Sequence, residues 1–571
     1  MRERIGGKTA ASGLKQHPQG TPPHTARALA RVLASAWVLG IVPAATASTG
    51  ALPAEAIGHY SNPILFADYS DPDVIRVGDQ YVMTASTFHF SPGLPVLVSK
   101  DLVHWRTVAH ALPRLPFDPA YDLPGPLDFD ESSERARLDP AMGHRYSAGV
   151  WAPAIRYHDG RYYIHFATPT DGIFMVSAER PEGPWTAPVA LVAEAGLEDP
   201  CAFWDDDGSA WLIHSRVGAG PLILRRMSAD GTRVLDQGTV VMEDPVNLPV
   251  LEGPKLLKRN GWYYIFAPYG GVEKEPQAVL RSRDIRGPYQ WRTVLAGGDT
   301  GVQAPHQGGY VETPSGEGWF AHFNSTGAYG RIVHLQPVRW VDDWPLIGEP
   351  ISATTGQPVA SHPMPDVGGT YAPVHPQTSD GFDGPQLGLQ WEWNHNPVDI
   401  RWSLSERPGY LRLHAMYAPG FLAARNTLTQ VHHGRASRIT ARIDVSAMAD
   451  GERAGLGMLQ VRPSWIGVVQ ADGERRLVHS AAGQPTPGPR VDAATVQLRQ
   501  HVAGDQTVRY EYSLDEGRSF HALGTPQPMR FSWWKGARPA LFNWSGVESA
   551  PRHGHVDVDA VEVEILDPPR P

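Results

Sequence analysis

The chain has 571 residues, more than one hydrophobic core can organise, so two or more domains are expected. Its 58 Gly, 53 Pro and 18 Trp, with 42% hydrophobic residues, fit a turn-rich protein of many short strands and exclude a disordered chain. A formal net charge of −10 with no long basic run argues against a nucleic-acid partner, which needs a positive footprint.

In chain order, the first element reads as an export leader. Arg27 and Arg31 precede the apolar run V-L-A-S-A-W-V-L-G-I-V, and the small residues A-T-A-S follow, so cleavage is expected after about Ala47. The run is short for a membrane span of ~20 residues. Residues 1–47 are therefore read as a leader, and the mature protein as secreted or periplasmic with no membrane partner. Cys201 is the one cysteine, so no intramolecular disulfide can form and stability must come from packing.

Five related stretches follow: "DPDVIRVGDQYVMTAS" from Asp71, "WAPAIRYHDGRYYIHFA" from Trp151, "EDPCAFWDDDGSAWLIHS" from Glu198, "EGPKLLKRNGWYYIFAP" from Glu252, and the looser "APHQGGYVETPSGEGWFAHF" from Ala304. Each is a short apolar strand, a polar turn and an aromatic-rich strand. The H-D-G, D-D-G and R-N-G turns are hairpin chemistry, because Asn, Asp and Gly tolerate positive φ. Recurrence about every 50 to 80 residues, with few helical periods, predicts an all-β fold opening with a five-bladed β-propeller over 56–350. An irregular β-sandwich is the structural alternative.

In a propeller the first strand of each blade lines the central channel. The equivalent positions carry Asp71, Trp151, Asp199, Glu252 and His306, which are expected to converge. Pro or Gly directly after the three acids predicts rigid, extended strand entries. Three carboxylates in one pocket repel and desolvate one another, so the cluster reads as functional. Carboxyl groups on either side of a bond suit glycoside hydrolysis: one protonates the leaving oxygen and another takes a proton from water. A third, ionised, keeps the acid protonated by like-charge repulsion. Phe88 and Trp151 offer apolar faces to a sugar ring, and His306 and Arg331 offer donors.

Other residues carry plainer readings. Asp73 should face away from Asp71 on an alternating strand and cap a turn. Glu198 is displaced by one residue from Asp199. Asp205, Asp206 and Asp207 read as a solvated hairpin turn, and Cys201 as a small core residue. "SLDEGRSF", Ser513 to Phe520, fits the S-x-D-x-G-x-x-[WF] box once, outside the repeats, and reads as a turn. After "DWPLIGEP", residues 351–379 read as a surface linker rich in Pro, Gly, Ser and Thr. Alternating runs such as "RITARIDV", "TVRYEYSL" and "HVDVDAVEVEIL" then predict a C-terminal β-sandwich over 380–571.

From about Asn62 to Ile347 the chain resembles glycoside hydrolase family 43. The resembling segments are "NPILFADYSDPDVIR", "STFHFSPGLPVLVSKDLVHW", "GVWAPAIRYHDGRYYIHFA", "LEDPCAFWDDDG", "LEGPKLL" and "GAYGRIVHLQPVRWVDDWPLIG". The resemblance implies a five-bladed propeller that inverts the anomeric centre. It implies Asp71 as general base, Glu252 as general acid and Asp199 as the residue that orients the acid and raises its pKa. Phe88 and Trp151 would wall the sugar subsite, with His306 and Arg331 as contacts. Base and acid should stand roughly 6.5–9.5 Å apart. "GFDGPQLGLQWEWNHNP" and "RPALFNW" resemble the concanavalin-like sandwich of exo-acting members, whose loop leans over the pocket. "FSWWKGARPALFN" is the candidate for that loop, the alternative being a sandwich that never reaches the pocket. No cofactor is required, although an axial Ca²⁺ with His306 nearby is an expectation of the resemblance. The function expected is a secreted exo-glycosidase removing xylose or arabinofuranose from xylan- or arabinan-type oligosaccharides. An endo-arabinanase or a non-catalytic sugar-binding propeller is the alternative, and a sialidase is disfavoured by the lack of an arginine cluster.

Overall fold

A computed structural model of the chain describes residues 58–123, 145–218, 220–272, 276–302, 305–548 and 553–567. The leader expected at 1–47 lies outside the described residues. No described helix is long and apolar enough to cross a membrane.

The turns follow their local chemistry. Asp159 and Gly160 both take positive φ (46° and 78°) between the strands Trp151–His158 and Arg161–Thr168, and Asn260 and Gly261 (51° and 70°) do so between Lys255–Arg259 and Trp262–Pro268. These are tight two-residue hairpins whose twist matches the flanking strands. Five antiparallel sheets result, their inner strands being Ser70–Val77, Trp151–His158, Leu197–Trp204, Lys255–Arg259 and His306–Glu312. The fifth blade is completed from the other end of the domain: Leu65–Asp68 pairs with Arg331–Val341 as its outer strand. This closure stitches the segment that precedes the first blade into the last one and leaves the ring without a free seam.

Each inner strand carries the same irregularity. Pairing slips between Ser70 and Asp73, Trp151 and Ala154, Glu198 and Cys201, and His306 and Gly308. In the fourth blade Glu252 N–H bonds to Pro268 O while Lys255 already faces Phe266, the same one-residue slip. One residue in each bulge has positive φ: Asp71 (54°), Ala152 (36°), Asp199 (57°), Gly253 (61°) and Gln307 (35°). The expected extended entry is therefore corrected, since Pro72 and Pro200 follow left-handed residues. A bulge inserts one residue and re-aims its side chain, and Asp tolerates that conformation better than bulkier residues. The equivalence of the five axial residues is corrected too. Asp71 and Asp199 occupy the bulge, whereas Trp151, Glu252 and His306 precede it, and Glu198 is the register mate of Glu252.

The bulge also changes what the neighbouring polar residues do. Asp73 does not cap a turn: its carboxylate accepts from Ile155 N (2.8 Å) and Arg156 Nη1 (2.6 Å) and ties blade one to blade two. Cys201 is a buried core residue as expected, with its Sγ 2.8 Å from Arg156 Nη2. In the acidic turn Asp205 is not solvated. Its side chain is 5% exposed and accepts from Lys258 Nζ and Tyr263 OH, both at 2.6 Å, linking blades three and four. Asp206 does remain in solvent, at 88% exposure.

The second half is a two-sheet sandwich. Alternation along Ser437–Asp444 buries Ile439, Ala441 and Ile443 against Leu456, Ile466, Val468 and Leu541 of the facing sheet. "SLDEGRSF" is a turn, with Gly517 N–H on Ser513 Oγ and Ser519 N–H on Asp515 Oδ1. The segment 351–379 is a fastened strap rather than a loose linker. Gly356–Gln357 joins the fourth blade beside Leu295, and Ser361–Pro363 pairs with His59–Ser61. The propeller in turn lends Phe90–Ser91 to the sandwich as an edge strand against Trp391–Asn394.

Candidate active site

The five inner strands converge on a cavity of about 440 Å³. Its lining includes all seven residues singled out in sequence, namely Asp71, Phe88, Trp151, Asp199, Glu252, His306 and Arg331, and adds Glu198 and Trp534.

Asp71 is aimed by its bulge at the channel and held there on both oxygens. Arg331 Nη1 lies 3.1 Å from Oδ1, and Ser86 Oγ donates to Oδ2 at 2.5 Å. Ser86 Oγ itself accepts from Ala152 N–H at 2.7 Å, which fixes its proton toward Asp71. Two donors on two oxygens hold the carboxylate in one orientation. A carboxylate oriented in this way can take a proton from water.

Glu252 is in the opposite situation. Burial, then the negative charges of Asp199 and Asp71, push its carboxyl up to about 8 against the opposing pull of Arg331. Burial raises Asp199 as well, but Lys255 and the Gly253 N–H oppose that rise. Asp199 Oδ2 accepts Gly253 N–H at 2.7 Å and Ser215 Oγ at 3.4 Å. Donors of that kind suit a carboxylate, so of this coupled pair Glu252 holds the proton. Glu252 can therefore give a proton at neutral pH, and turnover should fall as pH rises through about 8. Asp199→Asn removes the charge that holds the proton on Glu252, so the alkaline limb of kcat/KM should move to lower pH. A pH–rate profile of the variant checks this, and an unmoved limb would refute it.

The apolar wall is built from both domains. Phe88 meets Trp151 edge-to-face at 6.1 Å, and Trp151 meets Trp534 likewise at 6.3 Å. Trp151 Nε1 donates to Ser147 O (2.8 Å), which fixes its ring. Gly149 is required behind this wall, since a Cβ there would lie 2.0 Å from Phe88 O. Trp534 belongs to the sandwich segment "FSWWKGARPALFN", so that segment does reach the pocket. Its anchor is Asp68: Lys535 Nζ lies 2.9 Å from Asp68 O and 3.2 Å from Oδ2, and Gly536 N–H donates to Oδ2 at 2.8 Å. Asp68 also accepts Arg331 N–H at 2.9 Å, so one carboxylate fixes both the base's arginine and the aromatic lid.

His306 stands with Nε2 3.4 Å from Glu252 Oε1 and its ring 5.1 Å from Phe323. Burial, with the positive charges of Arg331 and Lys255, holds it far below the usual imidazole range, so it is neutral. The expected Ca²⁺ does not fit here. Calcium takes six to eight oxygens, the two cations oppose it, and the oxygens that do converge, those of Glu198, Asp199 and Glu252, form a group without His306. No step below uses an ion.

Sequence reasoning missed Asp68, Ser86, Glu198 and Lys535. Asp68 meets Arg331 and Lys535 across 263 and 467 residues, a span at which no spacing rule operates. For Glu198 the signal was present, as the acid directly before the D-P dipeptide. Period-two alternation placed it on the wrong face because the bulge was not foreseen.

A five-bladed β-propeller with converging carboxyls of divided protonation, closed by a sandwich loop, defines a glycosidase. Residues 60–345 match the glycosyl hydrolases family 43, and residues 379–564 match the β-xylosidase C-terminal concanavalin A-like domain. The chain belongs to glycosyl hydrolase family 43. It is 34% identical over 571 residues to a β-xylosidase of Formosa agariphila, covering 90% of this chain and 92% of that one. It is 30% identical to a non-reducing end α-L-arabinofuranosidase of Bacteroides ovatus, covering 70% and 73% respectively. Among solved structures it is similar to a bifunctional GH43-CE protein of Bacteroides eggerthii, with a TM-score of 0.76 and 31% identity, over 89% of this chain and 64% of that chain.

Proposed function

We propose that the protein is a secreted, inverting exo-glycosidase that releases single pentose units, β-xylose first, from the non-reducing ends of xylan-type oligosaccharides. The observation that carries the reading is the placement in one cavity of Asp71, held by Arg331 and Ser86, and of Glu252, whose carboxyl lies beside those of Asp199 and Glu198. Asp71 and Glu252 stand on blades one and four, which are not neighbours in the ring, and this supports attack and departure on opposite faces of the sugar. In that reaction Asp71 takes a proton from water as its oxygen bonds to the anomeric carbon. Glu252 gives its proton to the departing glycosidic oxygen, and Asp199 holds that proton in place until then. Phe88, Trp151 and Trp534 enclose the sugar ring, and His306 and Arg331 face its hydroxyls. An endo-acting enzyme needs an open cleft, and Trp534 closes one side. Xylose is placed first because the relative covering 90% of the chain is a β-xylosidase and the sandwich matches a β-xylosidase domain. Arabinofuranose is the second reading, favoured by the arabinofuranosidase relative.

Side-by-side hydrolysis of chromogenic β-D-xyloside and α-L-arabinofuranoside tests the substrate, with faster turnover of the xyloside expected. NMR of the first-formed xylose should show the α-anomer, and the β-anomer would refute inversion. Export is supported by the leader pattern, and a mature N-terminus near Ser48 checks it.

A further inference from the structure

Lys255 has no part in the reaction just described, yet its placement is unusual. It opens the inner strand of the fourth blade, in the layer directly after the bulge, where the other blades carry Asp73, Ala154, Cys201 and Gly309. Its side chain is 3% exposed, and its Nζ meets no hydrogen-bond partner among the described residues. An ammonium has three donors and is strongly hydrated, so burying one without partners is destabilising. Packing alone would be served better by Met or Leu.

The charges around it supply a reason. Four carboxyl groups line the cavity, and three of them, Glu198, Asp199 and Glu252, bring oxygens within 4.8 Å of one another. Arg331 is committed to Asp71 at 3.1 Å, and His306 is neutral. Lys255 is a further buried cation, in the layer directly below. Its positive charge opposes the rise that burial gives Asp199, and it lowers His306 as well. Asp199 is faced by Asp71 from blade one, Glu198 on its own strand, Glu252 and the Gly253 N–H on blade four, and Gln307 on blade five. The Asp73–Arg156 pair lies in the layer of Lys255.

We propose that Lys255 is a positioning residue for the hydrolysis: its buried, unpartnered ammonium beneath the carboxyl cluster keeps Asp199 ionised and so directs the pair's single proton onto Glu252. The proposal rests on the glycosidase reading. It also accounts for the misfit of calcium, because the chain supplies a positive charge of its own in that layer.

The test is the pH dependence of kcat/KM for a chromogenic xyloside. In Lys255→Met, Asp199 should take up a proton at higher pH. The acidic limb should therefore rise by about one pH unit, a tenfold loss on that side, while the alkaline limb, set by Glu252, stays in place. Lys255→Arg keeps the charge and should keep both limbs. A folded Met variant with an unchanged profile, or one whose loss Lys255→Arg does not rescue, would overturn the proposal. Should the Met variant fail to fold, carboxyl ¹³C NMR titration of the wild-type enzyme decides. Asp199 is expected to be ionised at a pH where Glu252 is still protonated, and the reverse order overturns the assignment. A wild-type enzyme inert toward every pentoside would instead sink the hydrolase reading itself.

Discussion

Replacement of Asp71 by Asn should lower kcat/KM by about 10²–10⁴-fold, the range that general-base catalysis supplies. The amide keeps the volume of the carboxylate, and Ser86 can still donate to its oxygen, so circular dichroism should match the wild type. The loss should be nearly the same for aryl xylosides and for xylo-oligosaccharides, because water must be deprotonated whatever group departs. It should not be relieved at any pH, since an amide has no proton to lose. The position of the side chain requires this outcome. Asp71 is the cavity carboxylate that meets both a guanidinium and a hydroxyl whose proton is directed at it. Retention of more than about a tenth of the activity would mean that another group, with Glu198 the nearest candidate, activates the water.

The second large effect belongs to Glu252 and depends on the leaving group. A sugar alkoxide cannot depart without a proton, whereas dinitrophenolate can. Glu252→Ala should therefore cost about 10²–10⁴-fold on xylo-oligosaccharides and much less on dinitrophenyl xyloside. The alkaline limb near pH 8 should disappear with the residue that causes it. Leaving-group dependence is the diagnostic part. Equal damage on both substrates would show that Glu252 is not the acid, and the proton would then have to come from Asp199 or Glu198.

The repeating strand–turn–strand units are local, and so they can be read from residues alone. H-D-G and R-N-G specify their hairpins because Asp, Asn and Gly take positive φ at little cost, and Asp159, Gly160, Asn260 and Gly261 do so in the structure. Asp71, Asp199 and Glu252 stand in short motifs, D-P-D, E-D-P and E-G-P, so their meeting at one cavity was legible too. Register was not. All five inner strands carry the bulge, so no copy stands out as irregular, and the one local sign that Glu198 rather than Asp199 shares the register of Glu252 is the proline two residues on, Pro72, Pro153, Pro200 and Pro254 in four of the copies. Closure of the ring decides this, because inner strands gathered around one axis must re-aim their first side chains.

Distance in sequence hid the rest. Asp68 is one acid among many until Leu65–Asp68 becomes the outer strand of the last blade. Only then do Arg331 and Lys535, hundreds of residues away, come within hydrogen-bonding reach of it. The same contact carries Trp534 to the sugar pocket. The sequence by itself determined the blades, the sandwich and three of the carboxyls that line the cavity, because these are written in turns, alternation and motifs a few residues long. Tertiary structure alone decided which charges surround those carboxyls and what walls the pocket, because both depend on side chains brought together from separate blades and from the second domain.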